Sequence, residues 1–220
     1  MNNLLLDLEK EFKKLANGIQ IPEEIELLYQ WIDKNGLIET SKGTRGDPTV
    51  CHYGRLSADY EINPDITFTT SGQQGINYWF DLAETTKEIS SRLVSFADSG
   101  FDGSQLAFWL DDSNRLRVVH MGSGSGSMLC CVVANNAREF LSLLSIGYGQ
   151  LGDVYNFSLS PEQIDDEAKI NHSFVDWLES SLGIKRLHDA SGIIKIKSEI
   201  GDEDTNDPFC LWCNKQFKKE

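Results

Sequence analysis

The residues best suited to chemistry are five cysteines, and two of them have a metal-binding spacing. Cys210 and Cys213 occur as Cys-Leu-Trp-Cys, which lets two sulfur atoms share one metal ion or form a redox pair. A zinc site needs further ligands, and Cys51-His52 is the only other such pair. Its adjacent side chains point apart on an extended segment. We therefore predict that Cys210 and Cys213 pack in the interior and that no metal or other cofactor is bound, with structural zinc as the alternative.

The histidines and the glycine-rich segment lack the context that catalysis or phosphate binding requires. No Gly-x-Ser-x-Gly nucleophile motif accompanies the four histidines, which are His52, His120, His172 and His188. The segment Gly-Ser-Gly-Ser-Gly at 122–126 is followed by MLCCVVA, which predicts a strand, whereas a phosphate-binding loop leads into a helix. The segment thus predicts a hairpin turn, and the chain is predicted not to be an enzyme.

Charge favours a protein partner over nucleic acid or membrane. The 220 residues include 34 acidic and 20 basic side chains, a formal net charge of -14. Such a surface repels phosphate, which excludes nucleic acid and anionic membranes as expected partners. A basic protein, by contrast, is attracted to it.

Turns between predicted strands supply the candidate contact residues. Asp98, Asp102, Asp111 and Asp112 lie in such turns, where side chains reach solvent, and we predict that they form an acidic binding face. Trp79, in the run Tyr-Trp-Phe at 78–80, would anchor a partner if strand alternation turned it outward; burial in the core is the alternative.

These residues must be positioned by helices at both ends of the chain and by strands between them. Helical spacing of apolar residues predicts helices over 4–15, from Pro22 to Asn35-Gly36, over AREFLSLLSIGYGQL after Asn135-Asn136, and over HSFVDWLESSLG. ITFTT and INYWFDL predict a hairpin. The segments RLVSFA, SQLAFWLD, RLRVVHM and SMLCCVVA predict an antiparallel meander, because short turns join them. Residues 37–65 predict an irregular connection, and GIIKIKSEI predicts a last strand.

This order of elements predicts an α+β fold, with a central antiparallel sheet packed against N-terminal and following helices. We predict one domain over 1–152 and an acidic helical extension over 153–220 that packs on it. The opening MNNLLLDLEKEF is too short and too acidic for a secretory signal, so we expect a cytoplasmic protein with reduced thiols.

Four segments carry a resemblance to a known family: NGIQIPEEIELLYQWIDKNG at 17–36, SGQQGINYWFDL at 71–82, DGSQLAFWLDDSNRLRVVHMGS at 102–123 and VVANNAREFLSLLSIGYGQLG at 132–152. They are similar to parts of the SUKH superfamily of SMI/KNR-type regulators and bacterial immunity proteins. The resemblance covers about residues 1–152 and implies an α+β domain that binds another protein, in bacteria usually a toxin. It assigns no interface residue. The expected function is immunity against a basic toxin; a regulatory adaptor or a small thiol- or zinc-dependent enzyme are the alternatives.

Overall fold

The computed structural model describes residues 2–42 and 50–217. Within these ranges the chain forms eight α-helices: α1 (Asn3–Phe12), α2 (Glu23–Lys34), α3 (Ile76–Trp79), α4 (Lys87–Ser90), α5 (Ala137–Ile146), α6 (Pro161–Ile164), α7 (His172–Leu182) and α8 (Pro208–Phe217). The same ranges contain nine strands: β1 (Ile38–Lys42), β2 (Val50–Gly54), β3 (Ile62–Asn63), β4 (Thr67–Phe68), β5 (Leu93–Asp98), β6 (Gln105–Leu110), β7 (Leu116–Met121), β8 (Cys130–Ala134) and β9 (Lys169–Ile170).

The strands form a seven-stranded sheet in the order β1-β2-β4-β5-β6-β7-β8, and β3 pairs separately with β9. Every neighbouring pair in the large sheet is antiparallel. Strands β5 to β8 are consecutive in sequence and in space, so the predicted meander is confirmed. The predicted α+β class with a central antiparallel sheet is confirmed as well.

One face of the sheet carries the larger core. Phe96 and Phe108, on adjacent strands, stack with ring centroids 4.2 Å apart, and Phe140 of α5 contacts Phe96 edge-on at 5.5 Å. Helices α1 and α2 lie directly on β2 because Gly54 has no side chain. A Cβ atom there would lie 2.5 Å from Leu4 Cδ2 and 3.1 Å from Ile32 Cγ2.

The opposite face carries a second core, which buries the centre of the sheet on both sides. Trp109 and Val119 point to this face, where Phe209 and Trp212 of α8 cover them. Strands buried on both faces lose the alternation of apolar and polar residues. This explains why the central strands are continuous apolar runs in the sequence.

Side-chain caps and glycines set the ends of the helices. The Asn136 side chain accepts a hydrogen bond from the Glu139 amide at 2.9 Å and begins α5, as predicted. The helix stops at Gly147, whose φ of 92° is left-handed, although the predicted segment runs on to Leu151.

Three local predictions are wrong. Residues 37–65 hold β1 and β2 rather than an irregular connection; residues 43–49 of that segment lie outside the described residues. β1 is largely solvent-exposed, so it shows no apolar alternation. INYWFDL begins with α3 and continues as a turn rather than forming a strand, because Ile76 and Phe80, four residues apart, both enter the second core. GIIKIKSEI contains no strand beyond a single bridge from Glu199 to Leu129.

Residues after 152 contribute to both cores. Phe174, Leu178 and Ile193 join the larger core, whereas Phe209 and Trp212 belong to the second. None of the helices in the described ranges is long and apolar enough to span a bilayer.

Candidate functional site

The four predicted aspartates lie at two opposite ends of the sheet. Successive turns of a meander alternate between its ends, so Asp98 and Asp102 flank the β5–β6 turn while Asp111 and Asp112 begin the β6–β7 turn. The six residues of β6 separate the two turns by about 17 Å. The expectation that these four side chains form one acidic face is therefore wrong.

Asp111 does not reach solvent, which also corrects the prediction for this residue. Its side chain is 6% exposed and accepts hydrogen bonds from Arg117 Nε at 2.7 Å and from Arg115 Nε at 3.0 Å. The amides of Ser113 and Arg115 donate to it at 2.8 and 2.9 Å. Burial alone would raise the pKa of Asp111, but these hydrogen bonds lower it to about 2. Asp111 is thus the structural centre of its turn.

The neighbouring carboxylate, Asp112, is exposed but already paired with a cation. Arg92 Nη2 lies 2.8 Å from Asp112 Oδ1. Together with the two arginines on Asp111, this pairing neutralises the acids of the β6–β7 turn.

At the other end of the sheet four segments meet: 98–104, 122–129, 149–155 and 197–204. We call this region the loop end. The Ser123 hydroxyl donates to Asp102 Oδ2 at 3.0 Å, and the Ser123 amide donates to Ser104 Oγ at 3.1 Å. The Ile200 amide donates to the Met128 carbonyl at 2.8 Å. These bonds join the first, second and fourth segments into one surface.

Glycines allow the segments of the loop end to approach closely. A Cβ on Gly126 would lie 2.5 Å from Asp102 Cβ, and one on Gly152 would lie 2.5 Å from Ser127 Oγ. The Gly-Ser-Gly-Ser-Gly sequence therefore forms the loop between β7 and β8, packed on the β5–β6 turn, and leads into a strand.

A buried histidine, His120, links two segments of the loop end by hydrogen bonds. His120 Nε2 lies 2.8 Å from Ser99 Oγ, and its Nδ1 lies 2.9 Å from the Leu129 carbonyl oxygen. The carbonyl can only accept, so Nδ1 carries the hydrogen and Nε2 accepts from the Ser99 hydroxyl. Burial lowers the pKa of His120 to about 4. At neutral pH His120 is an uncharged structural link, closed off from any substrate.

Trp79 also supports the loop end rather than standing free. Its Nε1 donates to the Gly122 carbonyl at 2.7 Å, and its ring packs against Phe80 and Phe217. The neighbouring Tyr78 is 79% exposed. The strand alternation on which the outward orientation of Trp79 was predicated does not apply, because both residues lie in α3.

The loop end concentrates negative charge. Its four segments contain seven acids, Asp98, Asp102, Asp153, Glu199, Asp202, Glu203 and Asp204, and a single cation, Lys197. Among the described residues, no ion pair involves Asp98, Asp102, Asp153, Glu199, Asp202 or Asp204. Serine hydrogen bonds lower the pKa of Asp102 despite its partial burial, whereas burial raises the pKa of Asp98 to about 6.

Exposed apolar side chains lie among these acids. Phe101 at the tip of the β5–β6 turn is 80% exposed, Tyr155 is 64% exposed and Met128 is 42% exposed. None of these three residues was predicted from the sequence to contact a partner. A large apolar residue flanked by glycines, as in Ser-Gly-Phe-Asp-Gly, is the signal that could have identified Phe101, because a turn tip holds no core position.

The cysteines predicted to pack in the interior lie in the second core. Cys210 and Cys213 are buried on α8 in the same core as Cys130 of β8, and the Cys210 thiol donates to the Glu199 carbonyl at 3.2 Å. The nearby Cys130 thiol and burial raise the pKa of Cys210, and burial raises that of Cys213. Both thiols are protonated at neutral pH. Across residues 2–42 and 50–217, no three His, Cys, Asp or Glu side chains are grouped so that they could hold a metal ion.

A polar cleft of about 290 Å³ lies between α1, β2 and the turn after β4. Its polar side chains pair with one another: His52 Nδ1 lies 2.6 Å from Asp7 Oδ2, Lys10 Nζ lies 3.1 Å from Asp7 Oδ1, and Lys14 contacts Glu11. Because these groups already have partners within the protein, the cleft offers little to a charged ligand.

Comparison of the chain with protein-family models, with curated proteins and with solved structures finds no match to any of them.

Proposed function

We propose that this protein acts in the cytoplasm by binding another protein, as an immunity protein of the SUKH type that neutralises a basic toxin. The observation that carries the proposal is the loop end, where seven acids and one lysine surround exposed apolar side chains. Exposed apolar side chains grouped on one surface mark interaction sites, and aromatic residues are enriched among the residues that dominate protein interfaces. The resemblance of residues 17–36, 71–82, 102–123 and 132–152 to SUKH proteins supports the same proposal.

The chemistry of the described side chains favours binding over the thiol or zinc enzyme. Cys130, Cys210 and Cys213 are buried and protonated, whereas a reactive cysteine needs an accessible thiolate. His120 is buried and uncharged, which leaves it unable to exchange protons with a substrate.

Capture of the partner tests the proposal. Full-length tagged protein is retained from a lysate of its native cells at moderate salt, and co-purifying polypeptides are identified by mass spectrometry. We expect a stoichiometric basic polypeptide that is toxic when expressed alone and harmless when co-expressed with this protein. A stoichiometric partner without toxicity would instead support the regulatory adaptor. The absence of any stoichiometric partner would contradict both binding functions.

A further inference from the structure

We propose that the loop end is the docking surface of this protein, with Phe101 and Tyr155 as its apolar anchors. Its occupant is a protein surface that presents an apolar pocket flanked by lysine and arginine side chains. The inference rests on the proposed function and assigns the contact residues that the function leaves open.

The anchors are exposed and yet held in place. The turn that carries Phe101 is closed by a 2.9 Å hydrogen bond from the Ser99 amide to the Ser104 carbonyl. Asp102 fixes the same turn by accepting from the Ser104 amide and hydroxyl at 2.9 and 2.8 Å. An aromatic ring on an ordered turn loses little conformational entropy on binding, so most of its burial contributes to affinity.

Tyr155 is positioned by the segments 149–155 and 197–204 of the loop end. Its neighbour Val154 is buried, and Lys197 Nζ donates to the Val154 carbonyl at 3.1 Å. Lys197 of the loop end is therefore hydrogen-bonded to backbone, and acids without an ion pair in the described chain, such as Asp153 and Asp204, can attract cations from outside.

Charge selects the occupant. A second copy of this chain has the same acidic end and is repelled, and nucleic acid is repelled by the same charge. A basic protein is attracted by it, and the exposed rings give that protein apolar area to bury. Charged contacts at the rim then raise the association rate, while the buried rings determine how slowly the complex dissociates.

Photo-crosslinking in the native cells tests the surface with the full chain. Phe101 and Tyr155 are each replaced by p-benzoylphenylalanine, and Ser113, exposed in the β6–β7 turn at the opposite end, is the control position. We expect positions 101 and 155 to cross-link to one and the same basic polypeptide and position 113 to give no such product. Cross-linking to that polypeptide from position 113 alone would contradict the assignment of the loop end as the docking surface. It would leave the proposed function intact. Failure of all three positions, with no partner captured by the tagged protein, would overturn both.

Alanine variants then measure how much Phe101 and Tyr155 each contribute to affinity for the identified partner. Phe101→Ala and Tyr155→Ala are each expected to weaken binding by at least about tenfold, as for interface hot spots. Tyr60→Ala is the matched control, since Tyr60 is an exposed aromatic outside the loop end; its affinity should stay within about twofold. Unchanged circular dichroism and melting temperature show that the variants are folded. Equal affinity of the wild type, Phe101→Ala and Tyr155→Ala would contradict the assignment of the anchors without contradicting partner binding.

Discussion

Two titratable side chains beside the loop end respond to pH in opposite directions. Burial raises the pKa of Asp98 from 3.8 to about 6 and lowers that of His120 from 6.5 to about 4. The folded state therefore binds the Asp98 proton more tightly than the unfolded state and the His120 proton more weakly. On acidification from pH 6.5 to 4, Asp98 adds stability while His120 removes it, so their contributions to the free energy of unfolding largely cancel.

Asp98→Asn should remove the pH-dependent contribution of Asp98 to the free energy of unfolding and leave that of His120. At pH 7.5 the carboxylate of Asp98 is charged and partly desolvated. The variant should then be more stable than the wild type by about 2 kcal/mol, after discounting for the partial exposure of Asp98. As pH falls toward 4 the carboxylate becomes protonated in the wild type, and the difference should shrink toward zero. Urea denaturation at several pH values measures it; a difference that is constant with pH would contradict the raised pKa.

The same variant should reveal the protonation of His120. Without Asp98, the free energy of unfolding should fall by about 2 kcal/mol between pH 7 and pH 4.5. Over this interval His120 becomes protonated in the unfolded state but stays largely neutral in the folded state, where it is buried. The wild type should change less over the same interval. A flat profile for Asp98→Asn between these pH values would contradict a buried, uncharged His120.

At the scale of elements, the β6–β7 turn depends on one buried carboxylate. Asp111→Ala leaves Arg117 without its buried partner and removes the acceptor for two backbone amides. We expect a loss of about 3 kcal/mol in the free energy of unfolding. Asp112→Ala, which breaks only an exposed ion pair at the next position, should cost less than about 1 kcal/mol. Equal effects in denaturant titrations would show that Asp111 is no more structural than its neighbour.

The contact of α1 and α2 with the sheet depends on a missing side chain at Gly54. Gly54→Ala places a methyl group against Leu4 and Ile32 and should destabilise the protein by about 1–3 kcal/mol. Gly75→Ala is the matched control, since a Cβ atom at position 75 meets no atom within 4 Å. Thermal unfolding compares the two. A melting temperature for Gly54→Ala equal to that of Gly75→Ala would contradict the close packing of the helices on β2.

Sequence predicted best those elements whose pattern is set by burial. The strands from Leu93 to Ala134 and helix α5 were found because the core requires their apolar residues and because Asn136 caps the helix. β1 was missed because it is exposed and follows no burial pattern. The candidate site was predicted only in part: turn residues such as Asp98 and Asp102 can be located from sequence. The sequence does not show which end of the sheet a turn occupies or which arginine reaches Asp111. Both depend on how the strands pair in three dimensions.

For the whole molecule, the distribution of charge matters more than its sum. The net charge of -14 attracts any basic protein, but the loop end combines six acids that form no ion pair within the described chain with the exposed rings of Phe101 and Tyr155. Asp153→Lys with Asp204→Lys should slow association with the identified partner by about tenfold at low salt and flatten its dependence on ionic strength. Asp176→Lys with Glu179→Lys, which makes the same change of charge on α7, is the control. Equal slowing by both pairs in stopped-flow measurements would mean that net charge alone guides the encounter.

The second core is completed late in translation, because the ribosome makes its sheet strands well before the helix that covers them. Strands β5 to β8 are complete at residue 134, yet Phe209 and Trp212, which cover Trp109 and Val119, belong to the last helix described. At about 5–20 residues per second, roughly 4–16 s pass between translation of β8 and of α8. During that interval the nascent chain exposes a hydrophobic sheet face, which makes it a substrate for ribosome-associated chaperones. A nonsense mutation shortly before codon 208 would make this exposure permanent and direct the product to proteolysis.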